Sequence, residues 1–93
     1  MKFREFLNES KGNATFTIKY DQKGDAKKIF DFVDNTKGVF FDPNLNPKSK
    51  KDGNGFEMEL YLTSANMGKD EWDSFSREMD RKIPTVSVAK INL

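Results

Sequence analysis

Residues 55–63 read Gly55-Phe-Glu-Met-Glu-Leu-Tyr-Leu-Thr63, an alternation of apolar and polar side chains. The apolar set on one side of such a strand is Phe56, Met58, Leu60 and Leu62, and the polar set is Glu57, Glu59, Tyr61 and Thr63. The opposite register would bury both glutamates, which is costly for unpaired charges. The stretch therefore predicts a strand of a mainly antiparallel sheet, with helices against its apolar side and water on the other.

The chain before this strand predicts a strand, a helix and a second, short strand. Residues 14–20 alternate in the same way, with Phe16 and Ile18 on the apolar side. From Asp25, a candidate N-cap, the apolar period changes to that of a helix, which Asn35-Thr-Lys-Gly38 ends. Val39-Phe-Phe41 begins the next strand.

Residues 42–54 predict a polar loop. They contain two prolines and three lysines, and they show no apolar periodicity. The lysines are Lys48, Lys50 and Lys51, and we refer to this stretch as the basic loop 48–51.

A second helix and a last strand complete the fold. The helix is expected from about Lys69 to Lys82, with acidic residues at its start and basic ones at its end. Residues 85–93 change phase near Ala89, which predicts a β-bulge. The order β-α-β-β-α-β is that of ferredoxin-like α+β domains, with two helices on one face of a four-stranded sheet.

Composition narrows the possible functions. The 93 residues make one domain, and 16 basic against 15 acidic residues leave a net charge of +1. There is no Cys and no His, so thiolate chemistry, the commonest general base and the commonest metal ligands are missing. We therefore expect that the protein is not an enzyme and that it has no cofactor and no metal site. The absence of a long apolar run argues against a membrane partner.

The predicted core accounts least for three large side chains, Phe32, Phe40 and Tyr61, and Phe40 and Tyr61 are the candidates for partner contacts. Exposed apolar surface of this kind usually marks a binding site.

The basic loop leaves a nucleic-acid-binding module open as an alternative, since RNA-recognition domains share the predicted topology. Lys48, Lys50 and Lys51 would then contact phosphates. Two carboxylates, Glu57 and Glu59, are expected on the open side of the sheet where bases would stack, so nucleic acid is disfavoured.

The first nine residues stand apart from the predicted domain of residues 14–93. Phe3, Phe6 and Leu7 would share one side of a short helix, and residues 10–13 (Ser-Lys-Gly-Asn) form a predicted flexible joint. A simple alternative is that residues 2–9 are an N-terminal helix docked on the sheet.

Met1-Lys2, followed by Glu5-Phe6-Leu7-Asn8-Glu9, resembles the capsid-targeting leader of internal head proteins in T-even-type bacteriophages. Those leaders are cut by the prohead protease after the Glu of a (Leu/Ile)-x-Glu motif. Leu7-Asn8-Glu9 fits this motif, and the cut would leave Ser10 as the new N-terminus.

The resemblance covers residues 1–10 and not the domain body. It implies a protein carried in the virion head interior, injected with phage DNA and active in the host cytoplasm. Some members of that class block host restriction enzymes, which implies a role in anti-restriction or host takeover by direct contact with a host protein.

Overall fold

A computed structural model describes residues 12–93, which form an α+β structure of two α-helices and a five-stranded, mainly antiparallel sheet. The strands are β1 (Asn13–Tyr20), β2 (Phe40–Phe41), β3 (Lys48–Asp52), β4 (Gly55–Thr63) and β5 (Val86–Asn92). The helices are α1 (Asp25–Asp34) and α2 (Lys69–Lys82). The α+β class and the pair of helices agree with the prediction.

The sheet has β4 and β1 at its centre, in the order β2-β4-β1-β5, and β3 pairs with the same edge of β4 as β2. The expected count of four strands was wrong, because β3 is a further strand within residues 42–54, which were predicted as a loop. Pro43 and Pro47 lie between β2 and β3 and have no backbone N–H to donate to β4. The carboxylate of Asp42 accepts a hydrogen bond from the Asn44 backbone N–H at 2.8 Å, which turns the chain away from β4.

The basic loop 48–51 was also predicted wrongly, because Lys48, Lys50 and Lys51 belong to β3. This strand pairs with β4 over its whole length, from Lys48 opposite Glu59 to Asp52 opposite Gly55. All five residues of β3 are exposed and none is apolar. Its sequence therefore lacks the apolar–polar alternation by which a strand is predicted. Pairing with β4 and the tight turn at residues 53–54 hold it in place instead.

The core lies between the helices and one face of the sheet. Phe16 of β1 contacts Trp72 and Phe75 of α2 edge-on, with ring centroids 5.8 and 5.6 Å apart. Burying a large apolar side chain stabilises the fold by about 1.5–3 kcal/mol. Fully buried members of this core are Phe16, Ile18, Ile29, Val33, Met58, Leu60, Leu62, Trp72 and Met79.

Local contacts explain where α2 begins and ends. Its bounds are those predicted. The Glu71 carboxylate accepts a hydrogen bond from the Gly68 backbone N–H at 2.9 Å, and Asp70 adds negative charge near the positive end of the helix dipole. Arg81 and Lys82 lie in the last turn, where positive charge is favourable.

The start of α1 differs from the prediction. Gly24 occupies the N-cap position, and Asp25 is the first helical residue, so the expected N-cap role of Asp25 was wrong. The buried Asp25 carboxylate instead accepts a hydrogen bond from the Gln22 backbone N–H at 3.3 Å, which closes the preceding turn. Neither α1 nor α2, the helices of the described range, has the length and apolar character needed to cross a membrane.

The predicted bulge in the last strand is confirmed. Ile18 lies opposite Val88 and Thr17 opposite Lys90, so Ala89 is the extra residue of β5. The bulge explains how Val88 and Ile91 can both turn towards the core side although they are three positions apart, an odd offset that would place them on opposite faces of a regular strand.

Candidate partner-binding face

The sheet face that the helices leave uncovered is the candidate binding surface, and we call it the open face. Pairing registers place on it every second residue of each strand. Its members are Asn13, Thr15, Thr17, Lys19, Phe40, Lys48, Lys50, Asp52, Gly55, Glu57, Glu59, Tyr61, Thr63, Ser87, Lys90 and Asn92.

Charged residues cross the open face in two rows. The first row runs Lys48, Glu59, Thr17, Lys90, and the second runs Lys50, Glu57, Lys19, Ser87. Basic and acidic positions are neighbours in both rows, so opposite charges face each other across the strands. The open face therefore carries charges of both signs and not an excess of one sign.

Lys19 shows how the second row is paired. Its Nζ atom lies 3.0 Å from Asp52 Oδ2 and 4.0 Å from Glu57 Oε1. The hydrogen bond to Asp52 and the charge of that carboxylate raise the pKa of the Lys19 ammonium. The Lys19 ammonium is therefore already paired with carboxylates. A surface ion pair of this kind adds little to stability.

Phe40 and Tyr61, which we call the aromatic corner, lie on the open face at the end where β2 pairs with β4. Phe40 is opposite Thr63 and is 62% exposed, the most exposed large apolar side chain of the described residues. Tyr61 is its diagonal neighbour across the strands, a relation that separates Cβ atoms by roughly 7–8 Å. The corner is a small apolar patch beside the charged rows.

The Tyr61 hydroxyl is anchored within β4. It donates a hydrogen bond to Glu59 Oε1 at 2.7 Å. This hydrogen bond is the main cause of a raised pKa for the Tyr61 phenol, with burial and the charge of Glu59 adding to it. The half-buried ring is thus held in place with its polar end satisfied, as a pre-positioned contact residue would be.

The structure brings together four of the five predicted contact residues. Phe40, Tyr61, Lys48 and Lys50 share the open face, whereas Lys51 points to the helix side. Lys51 Nζ lies 5.9 Å from the centroid of the Phe56 ring, within range of a cation–π contact. The predicted processing residues Leu7, Asn8, Glu9 and Ser10 lie outside the described residues.

A second surface feature, which we call the helix groove, lies between the end of α1 and one side of α2. Its apolar floor is formed by Phe32, Met67 and Phe75, and the cavity measures about 550 Å³. The Phe32 and Phe75 rings are 5.2 Å apart. Sequence patterning identified Phe32 as poorly explained by the core, but it assigned Phe75 to the core and gave no role to Met67, so it did not predict the groove.

Residues 12–93 contain no cluster of three or more acidic side chains that could hold a metal ion. No protein family, no curated protein and no solved structure matches the chain. The open face is the feature from which we propose a function.

Proposed function

We propose that this chain is a small phage-encoded binding protein that acts by stoichiometric contact with a host protein through the open face. The observation that carries the proposal is the 62% exposure of Phe40 beside the anchored ring of Tyr61. Binding energy at protein interfaces is concentrated in a few residues, among which aromatic ones are enriched. The charged rows around the aromatic corner resemble the polar rim of such an interface.

Contact, and not catalysis, suits the electrostatics of the described residues. The pKa shifts found there belong to Lys19, Tyr61, Glu78 and Arg81, and each arises mainly from a hydrogen bond within a surface pair. Catalytic groups usually owe their pKa shifts to burial, neighbouring like charges or helix dipoles in a cleft. Glu57 and Glu59 lie on an open sheet opposite lysines, which supports a role in recognition.

The setting we propose is that of an internal head protein. The resemblance of residues 1–10 to capsid-targeting leaders supports packaging in the virion head and action on a defence or restriction protein in the host cytoplasm. We also propose a ferredoxin-like arrangement, in which β2 and β3 together take the place of one edge strand beside β4.

Affinity capture with matched variants tests the contact surface. We expect the full chain to retain one protein from a bacterial host extract at equal molar ratio. Phe40→Ser should weaken retention about tenfold or more, since tenfold corresponds to only about 1.4 kcal/mol. Leu45→Ser is the control, because Leu45 is 46% exposed but lies outside the open face. Equal loss with both variants, or full retention by Phe40→Ser, would contradict the proposal.

Nucleic-acid binding is the alternative, favoured by the single fact that Lys48 and Lys50 share the open face with Lys19 and Lys90. It requires retention of DNA or RNA that falls steeply with salt. The double variant Lys48→Glu and Lys50→Glu should then abolish retention, whereas Lys51→Glu on the other face should not. We expect weak retention by the unchanged chain, because Glu59 and Glu57 oppose these lysines.

A further inference from the structure

Only every second residue of β3 directs its backbone groups towards β4. Just after β2, on the same edge of β4, the Asp42 backbone N–H donates a hydrogen bond to the Tyr61 carbonyl oxygen at 2.9 Å. Tyr61 therefore turns its backbone groups to this edge, and Glu59 and Glu57 do the same, because alternate residues of a strand bond to the same side. The β3 residues opposite these two glutamates bond to β4 in return.

The residues that bond to β4 are Lys48 and Lys50, so Ser49 and Lys51 direct their backbone N–H and C=O groups away from it. No other strand of residues 12–93 pairs with this outer side of β3. The pairing of β3 with β4 is regular and contains no bulge. We call the outward backbone groups of Ser49 and Lys51 the free edge.

The strand at the other side of the sheet, β5, is protected against pairing. A bulge at Ala89 interrupts its register, and the Val88 backbone N–H donates a hydrogen bond to the Asp80 carboxylate at 3.2 Å. Bulges and covered edges are common means of preventing strand addition. Because β2 has only two residues, β3 is the part of the described sheet best able to accept a further strand.

The charges on β3 indicate the chemistry of the strand that would fit. Its three lysines take part in none of the ion pairs between described residues. The carboxylates opposite them have other contacts: Glu59 accepts a hydrogen bond from the Tyr61 hydroxyl at 2.7 Å, and Glu57 lies 4.0 Å from Lys19 Nζ. The lysines of β3 are therefore available to acidic side chains of an added strand.

A second copy of this chain does not suit the free edge. An antiparallel pair of β3 strands centred on Ser49, on Lys50 or on Lys51 places a lysine opposite a lysine in each case. Like charges directly opposite each other destabilise strand pairing. The same lysines that reject another β3 strand favour an acidic one, which is how charge provides specificity.

We propose that the free edge binds an extended, acidic segment of a partner protein as an added antiparallel strand. Backbone hydrogen bonds to Ser49 and Lys51 hold the segment, and its side chains meet the lysines. The segment has acidic residues at the first, second and fourth of four positions, opposite Lys51, Lys50 and Lys48. This inference goes beyond the proposed function, because it requires neither the ring of Phe40 nor a phage origin.

Hydrogen exchange with a synthetic peptide tests the added strand. The probe is acetyl-Thr-Glu-Glu-Thr-Glu-Val-amide, added in excess to the full chain and followed by NMR. We expect the amide protons of Ser49 and Lys51 to exchange about tenfold more slowly or less in the complex, since they become hydrogen-bonded. The amides of Lys48 and Lys50, which already bond to β4, should change less. No added protection at Ser49 and Lys51 would overturn the proposal.

N-methylated peptides separate strand pairing from charge attraction. Methyl groups on the first Glu and the second Thr, opposite Lys51 and Ser49, remove the N–H groups that point at β3, and affinity should fall about tenfold or more. The control carries methyl groups on the other two Glu residues, whose N–H groups point away, and should bind as the parent does. Equal affinity of both methylated peptides, or of oligothymidylate and the parent peptide, would show attraction of any polyanion and overturn the proposal.

Ser49→Pro is the matched change in the protein. Proline removes the outward N–H and is compatible with this position, because pairing with β4 does not use that group. Ser49→Ala is the control, since both variants lose the hydroxyl that accepts a hydrogen bond from Tyr20 at 3.1 Å, but alanine keeps the N–H. Only Ser49→Pro should weaken peptide binding, and equal binding by two folded variants would overturn the proposal. If Ser49→Pro does not fold, the methylated peptides decide. None of these results bears on capture through Phe40.

Discussion

The Phe16 ring meets the Trp72 indole edge-on, with 5.8 Å between centroids and 65° between planes. Both side chains are fully buried, and their contact joins the central strand β1 to α2. Phe40 is the opposite case, since most of its ring faces water on the uncovered side of the sheet. The buried aromatic rings thus hold the sheet and the helices together, whereas the exposed ring of Phe40 is available for contact with a partner.

This division predicts very different effects of two Phe→Ala changes. Phe16→Ala removes a ring from the packed core and should lower the free energy of unfolding by about 3–5 kcal/mol. Phe40→Ala should change it by no more than about 0.5 kcal/mol, as surface substitutions usually do. Urea denaturation of both variants measures the difference. A large loss of stability in Phe40→Ala would show that its ring is structural and would remove the reason to assign it to a partner.

Two glycines provide a matched test of backbone packing. A Cβ atom on Gly55 would lie 2.7 Å from the Tyr20 carbonyl oxygen, so Gly55→Ala should destabilise the fold by about 1–3 kcal/mol. Nothing lies within 4 Å of a Cβ atom on Gly24, whose φ of −64° suits any residue. Gly24→Ala should therefore be neutral or stabilise by about 0.4–1 kcal/mol, because it restricts the unfolded chain.

The readout for the glycine pair is the midpoint of thermal unfolding. For a domain of this size, 1 kcal/mol shifts the midpoint by about 4–8 °C. Equal midpoints for Gly55→Ala and Gly24→Ala would mean that β1 and β4 are not packed as closely at this end as the structure shows.

A pH dependence is expected from Glu78 on α2. Its carboxylate accepts hydrogen bonds from Arg81 at 2.7 and 2.8 Å, and these are the main cause of a pKa below the ordinary value of 4.5. Because the pKa in the folded state is lowered, the stabilisation is present above the unfolded pKa. It is lost as the pH falls through the folded pKa.

The measurement is an NMR titration of the Glu78 carboxyl group in the unchanged chain and in Arg81→Gln. We expect the pKa of Glu78 to rise towards its ordinary value in the variant. The stability difference between the unchanged chain and Glu78→Gln should be small at neutral pH, as for other exposed pairs, and should vanish in acid. An unchanged pKa in Arg81→Gln would show that the pair does not persist in solution.

The sequence pattern predicted the helices and strands that have one exposed side and one buried side. β1 and β4 alternate cleanly, and α2 combines helical periodicity with charged ends and a following Pro84, so its bounds were predictable. The bulge at Ala89 could be predicted because a change of phase within an alternating strand needs an extra residue.

The strand β3 escaped prediction because Lys48–Asp52 has no apolar residue, and its place depends on pairing with β4. One signal was present: Gly53-Asn54 is a two-residue connection typical of a tight β-hairpin, and Gly53 has the positive φ of 62° that such turns need. Recognising that turn would have moved the lysines from a loop to an edge strand, where exposed lysine discourages pairing with other chains.

The candidate site was only partly predictable for a related reason. Phe40 and Tyr61 were identified because the core had no place for them, and alternation put Tyr61 on the open face. The helix groove depends on how α1 and α2 lie against each other, which periodicity along either helix does not contain.

The most direct test of a removable leader on a separately folded body is digestion of the full chain with a T-even-type prohead protease. Intact mass and thermal unfolding should be measured before and after digestion. We predict a single product that begins at Ser10 and still unfolds cooperatively. Resistance of the Glu9–Ser10 bond, or a product that is unfolded after the cut, would contradict the proposed role as packaged phage cargo.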